Sequence, residues 1–113
     1  MKIYDDKMAP NPRRVRIFLA EKGIAVPYEQ VAIMKGEHKT PAHRARNALE
    51  QLPVLELDDG SHVSESVAIC RYFEELQPDP PLLGRTPKEK AVIEMWQRQI
   101  EFNLYTPVAM TFR

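Results

Sequence analysis

The chain has 113 residues, 43% of them hydrophobic, and its sixteen basic residues balance sixteen acidic ones. That length suits one domain and part of another with apolar surface enough for a core, while zero net charge argues against nucleic acid or an acidic membrane surface as partners. The single cysteine, Cys70, excludes an internal disulfide, a four-cysteine metal site and CxxC dithiol chemistry.

In chain order, the opening MKIYDDKMAPNPRR lacks the apolar core of a signal peptide. No apolar run approaches the roughly 20 residues that span a bilayer, so a cytoplasmic location is the expectation. Lys2 to Tyr4 reads as a strand start and Asp5 to Pro12 as a loop running into a helix. From Pro12 the period is helical, with Val15, Phe18 and Leu19 on one face and Gly23 as the stop. Val31 and Ile33 alternate within a second strand predicted over 28–33. Strand, helix and strand in about thirty residues is the size of a parallel βαβ unit.

A polar loop, MKGEHKTP, and a short helix over Ala42 to Leu49 come next. Pro53 to Leu57 and His62 to Ser64 read as strands joined by an Asp-Gly turn, which pairs them antiparallel. Proline cannot donate to a β ladder, so Pro53 belongs at the first position of its strand; the local sequence leaves the isomer of Leu52-Pro53 open. Ser64-Glu65-Ser66 then opens a helix with a serine N-cap, carries Val67, Cys70, Phe73 and Leu76 on its apolar face, and ends at Pro78.

Residues 78–85, PDPPLLGR, read as a stiff linker that closes a first domain over 1–80. Thr86-Pro87-Lys88-Glu89 has the form of a capping box, and a long helix is predicted from it through 86–113. Its stripe of Val92, Met95, Trp96 and Ile100 finds no partner in the chain, so the expectation is a truncated second domain or another chain covering that face.

Taken together, APNPRRVRIFLAEKG (9–23), GEHKTP (36–41), QLPVLEL (51–57) and SESVAICRYFEE (64–75) resemble the glutathione transferase family. The resemblance implies an α/β, thioredoxin-like β-α-β-α-β-β-α domain followed by the start of an all-helical second domain. It also implies an enzyme of detoxification: glutathione as co-substrate, no metal, a small hydrophobic electrophile as the second substrate, and a homodimer with Arg71 at its two-fold interface. Leu52-Pro53 would be cis, presenting the Leu52 backbone to the cysteinyl part of glutathione like one more antiparallel strand residue. Ser66 and Glu65 match the residues that hold the γ-glutamyl carboxylate and amino group, and a helix N-terminus favours an anion there on physical grounds. His38 and Lys39 match a loop that binds the glycine carboxylate, and Gln51 a contact to the tripeptide backbone. Each has an ordinary reading as well: N-cap, solvated loop or turn residue.

The match departs at two places. Ala9 stands where many relatives have a serine that donates to the thiolate, which leaves the Asn11 amide as the candidate catalytic donor. Tyr4, the other nearby hydroxyl, is expected to be packed. Glu50 replaces a glycine, which suggests a backbone that does not need positive φ. Cys70 is expected to be an inert core thiol, the Arg13, Arg14 and Arg16 cluster a solvated or dimer-facing surface, and Tyr105 a contact to the electrophile. Two functions stay open: the transferase, and a non-catalytic binding or interaction module of the same fold. Glutaredoxin-like exchange would need a cysteine near residue 9 and finds none.

Overall fold

The connection lengths set the sheet. β1 (Lys2–Asp5) feeds α1 (Pro10–Lys22), and this crossover returns the chain as β2 (Tyr28–Gln30) parallel to β1, with Ile3 opposite Tyr28. The computed structural model describes residues 1–111. After α2 (Pro41–Arg46), β3 (Val54–Glu56) and β4 (His62–Ser64) form a hairpin around Gly60, which takes a φ of 87°. β3 pairs antiparallel with both β1 and β4, so the order across the sheet is β2-β1-β3-β4. α3 (Ser66–Leu76) completes the predicted β-α-β-α-β-β-α succession.

Side chains alternate across a strand, and the core follows that period. Ile3 and Leu55 point to the face covered by α1 and α3, where Val15, Leu19, Ile69, Cys70 and Phe73 join them. Tyr4 and Val54 point to the opposite face and pack with Val31 and Leu52. Tyr4 is buried as expected, and its hydroxyl donates to Glu56 Oε1 at 3.1 Å. Burial pushes the Cys70 thiol up to about 11. We therefore expect Cys70 to stay unlabelled by a thiol reagent in the native protein at pH 8 and to react fully in denaturant; rapid native labelling would show that the core opens there.

Several local expectations are corrected. α1 begins at Pro10 rather than Pro12, because the fixed φ of Pro10 suits a first helical position and Ala9 stays extended before it. The second strand stops at Gln30, and the polar loop after it is wound into two 3-10 turns, Ile33–Lys35 and Glu37–Lys39. The Glu37 carboxylate accepting from the Ala32 N–H at 2.8 Å folds this segment back on itself. Glu50 does take a positive φ, 58°. Neither serine caps α3: the N-cap position is Glu65, at φ 74° and ψ 119°, with no side-chain cap bond.

The chain divides into two compact units, Met1–Pro80 and Pro81–Arg113. In the second, the predicted capping box forms at the start of α4 (Pro87–Ile100): Thr86 Oγ1 accepts from the Glu89 N–H, and Glu89 Oε1 accepts from the Thr86 N–H, each at 3.1 Å. The single long helix predicted from there is interrupted. A wide turn over Glu101–Tyr105, in which the Thr106 N–H reaches back to the Glu101 carbonyl, separates α4 from α5 (Thr106–Thr111). Pro107 has no N–H to give, so an α-type bond is lost here in any case and the extra residue is accommodated. Val92, Met95, Trp96 and Ile100 are exposed. Of the predicted 86–113 segment, residues 112 and 113 lie outside the described residues.

Candidate functional site

The register of the strands gathers the candidate residues. Asp5 lies opposite Gln30, Tyr4 opposite Val54, and Val54 opposite Ser64. The ends of β1, β2 and β4 and the beginning of β3 therefore share one end of the sheet. Taken across that end from β2 to β4, the segments carry His38 and Lys39, then Asn11, then Gln51 to Pro53, then Glu65 and Ser66. Tyr105 belongs to the second unit, in the wide turn that follows α4.

Asn11 is placed by two carboxylates that the sequence did not single out. Asp6 accepts from the Met8 N–H and the Ile33 N–H, both at 2.9 Å, and its carbonyl accepts from Ala9 at 3.0 Å. Asp5, almost wholly buried, pairs with Arg16 and accepts from Gln30 Nε2 at 2.7 Å. Together they tie the turn between β1 and α1 to the segment leaving β2. Pro10 and Pro12 both lack an N–H and the Arg13 N–H returns to the Ala9 carbonyl, so Asn11 supplies the free backbone donor of this first helical turn. Its carboxamide stands half-buried beside it, while Ala9 offers only a methyl.

Leu52 is buried and Pro53 follows it through a cis peptide bond. The Gln51 side chain is exposed, but its carbonyl is held twice, by His43 Nε2 at 2.9 Å and by Asn47 Nδ2 at 3.3 Å. The positive φ of Glu50 turns the backbone so that this carbonyl meets them, and Glu50 itself is anchored by its N–H to the Asn47 carbonyl at 2.9 Å. His38 is half-buried with its Nδ1 enclosed and unpartnered among the described residues, and Lys39 is exposed.

At β4, Ser66 is the first residue of α3 and only 6% exposed. Its Oγ accepts from Arg14 Nη1 at 3.1 Å, so the hydroxyl proton is left to donate elsewhere. With no side-chain cap, the first N–H groups of α3 point outward at the positive end of the helix dipole. Glu65 holds a backbone conformation that non-glycine residues seldom adopt, of the kind that persists where surrounding structure over-determines it. Such an end can bind a carboxylate and, through Glu65, an ammonium group. The basic cluster of α1 is corrected accordingly: Arg16 and Arg14 are engaged at this end of the sheet, and Arg13 alone of the three is exposed. Asp5 and Asp6 were legible only as polar residues at a strand end, Arg14 as part of a basic cluster, and His43 and Asn47 as polar residues of the short helix expected over Ala42 to Leu49; adjacent Asp5-Asp6 was the one signal of buried charge.

Comparisons with known proteins bear on the family of the chain. The family described as "Glutathione S-transferase, N-terminal domain" matches residues 9–76. Glutathione S-transferase 2 of Saccharomyces cerevisiae is 45% identical over 99% of this chain and 49% of its own length. Glutathione S-transferase F9 of Arabidopsis thaliana is 35% identical over 95% of this chain and 49% of its own. A crystal structure of a glutathione S-transferase domain-containing protein from Marinobacter aquaeolei superposes with a TM-score of 0.92 at 46% identity, covering 96% of this chain and 54% of that one. The chain thus spans about half the length of the curated relatives it matches, and it belongs to the glutathione S-transferase family.

Proposed function

We propose that this chain carries the glutathione site of a glutathione transferase that adds the thiolate to a hydrophobic electrophile. The observation that carries the reading is the order of groups along one end of the sheet. A cation and an imidazole stand in the 3-10 turn that follows β2, amide donors beyond β1, a turned backbone before β3, and a helix N-terminus with a serine and a glutamate beyond β4. Glutathione presents the complement in the same order: a glycine carboxylate, a thiol with its cysteinyl backbone, and a γ-glutamyl carboxylate and ammonium. Lys39 and His38 bind the first, Leu52 pairs with the cysteinyl backbone beside Pro53 and Gln51, and Ser66 and Glu65 hold the γ-glutamyl end. The protein acts as a cytoplasmic homodimer with Arg71 at its interface, Tyr105 contacts the electrophile, and detoxification is its role.

Chemistry needs the thiolate. With a free thiol pKa near ~8.5, only a few per cent is ionised at pH 7. The Asn11 carboxamide and backbone N–H donate to the sulfur and stabilise the anion, and the thiol proton passes to solvent. The thiolate lone pair then forms a C–S bond to the electrophile, whose leaving group departs with its bonding electrons. Because the donors lower the thiol pKa, activity falls as pH drops below that lowered value. One such bond is worth about 1.4 kcal/mol, so Asn11→Ala should move the inflection of kcat/KM upward by about one pH unit and reduce the rate at pH 6.5 roughly tenfold. Conjugation of an aromatic halide by the whole protein, followed against pH, makes the measurement; an unchanged profile removes Asn11 from the mechanism. Glutathione binding without any conjugation would instead favour the non-catalytic module, which Ala9 makes the second reading.

A further inference from the structure

His43 is wholly buried, at 0% exposure, and the transferase mechanism assigns it nothing. It sits in α2, where its N–H donates to Thr40 Oγ1 at 3.2 Å and secures the start of that short helix. Its ring reaches the Gln51 carbonyl, with Nε2 2.9 Å from the oxygen. A carbonyl can only accept, so in the neutral ring the proton is on Nε2 and the lone pair on Nδ1. That Nδ1 meets no partner among the described residues. Enclosing an unpaired nitrogen disfavours folding, and a phenyl ring of similar size would avoid it. The benefit of histidine at this position therefore lies at the Nε2 end.

The Gln51 oxygen has a second donor in Asn47 Nδ2 at 3.3 Å, while Asn47 Oδ1 accepts from the Leu49 N–H at 3.0 Å and is itself held. Two anchored donors fix the direction of one carbonyl. The Gln51–Leu52 peptide is trans, and in a planar trans peptide the N–H points opposite to the C=O. Holding the oxygen toward α2 thus aims the Leu52 N–H the other way, where it meets no backbone acceptor among the described residues.

We propose that His43 is a positioning residue which, through the Gln51 carbonyl, sets the plane of the Gln51–Leu52 peptide and so aims the Leu52 N–H at the ligand. The identity of that ligand rests on the glutathione reading; the aiming does not. The test compares His43→Phe, which keeps the ring volume and loses the donor, with His43→Gln, whose amide nitrogen restores it. Two quantities are read in the whole protein: the residual dipolar coupling of the Leu52 N–H without ligand, and the dissociation constant for glutathione.

His43→Phe should change the Leu52 coupling while those of β1 and α3 stay as they are, and should weaken glutathione binding about fivefold, the worth of one typical hydrogen bond. His43→Gln should recover both. An unchanged Leu52 coupling in His43→Phe overturns the proposal whatever the affinity. If the unsubstituted protein fails to bind glutathione, the functional reading falls, and the coupling still decides the role of His43. If His43→Phe does not fold, His43→Gln decides: the original coupling supports the proposal, and an altered one overturns it.

Discussion

Ser66→Ala should raise the dissociation constant for glutathione roughly 10- to 100-fold, the worth of one hydrogen bond from a hydroxyl to a carboxylate. The size follows from how the hydroxyl is set. Arg14 donates to the Ser66 oxygen at 3.1 Å, which leaves the Ser66 proton for an incoming acceptor, and Ser66 itself is largely buried. The uncapped N–H groups of α3 remain in the variant, so binding is weakened rather than abolished. Titration calorimetry with glutathione and with an analogue lacking the γ-glutamyl carboxylate separates the effect from general damage. The analogue should bind the original protein weakly and lose nothing further in Ser66→Ala. Equal glutathione affinity in the two proteins would remove Ser66 from the site.

The largest effect on stability is expected at Lys22. Its ammonium group is buried at the end of α1, pairs with the buried Glu74 carboxylate, and donates to the carbonyls of Gln77 at 2.6 Å and Pro80 at 2.7 Å. All three N–H bonds are thereby used, and the ring of Phe18 lies 5.8 Å from the same nitrogen. Gln77 returns a bond to the Lys22 carbonyl at 2.6 Å, so the knot fastens α1 to the end of α3 and to the chain that follows. Lys22→Met removes the cation and leaves Glu74 without its ammonium partner. Breaking a buried pair from one side costs about 3–5 kcal/mol. At about 4–8 °C per kcal/mol for a unit of this size, the melting temperature should fall by roughly 12–40 °C. Adding Glu74→Leu should recover most of the loss, since a buried pair replaced by apolar groups is often neutral. Thermal unfolding followed by circular dichroism reads both, and a Lys22→Met melting point within a few degrees of the original would refute the account.

The order of elements was legible because it depends on local rules. A helical period between two strands dictates a parallel crossover, and an Asp-Gly turn between two short runs dictates a hairpin. The capping box at Thr86 was legible for the same reason, since both of its bonds lie within four residues. Glu50 shows where such rules stop. A glutamate in place of glycine argues against positive φ, a conformation costing about 1–2 kcal/mol for such a residue, yet φ is 58°. Bonds from His43 and Asn47 to the next carbonyl hold it there, and no local pattern announces them. The start of α3 differs from expectation in a similar way: Ser66 reads as a cap, but the structure engages it with Arg14 across 52 positions of sequence.

By itself, the sequence determined the succession of strands and helices, the apolar faces, the burial of Tyr4 and Cys70, and the family, because composition, period and motif spacing encode each of these. Only the tertiary structure decided what stands at the working end of the sheet. It decided that the Asp5 and Asp6 carboxylates turn inward, that Arg14 and Arg16 serve internal bonds, that Lys22 is buried, and that His43 grips the carbonyl before Leu52. The physical reason is common to all six residues. A polar side chain is indistinguishable from a solvated one until the strand register brings a distant partner within hydrogen-bonding reach, and that reach is set by the packed fold.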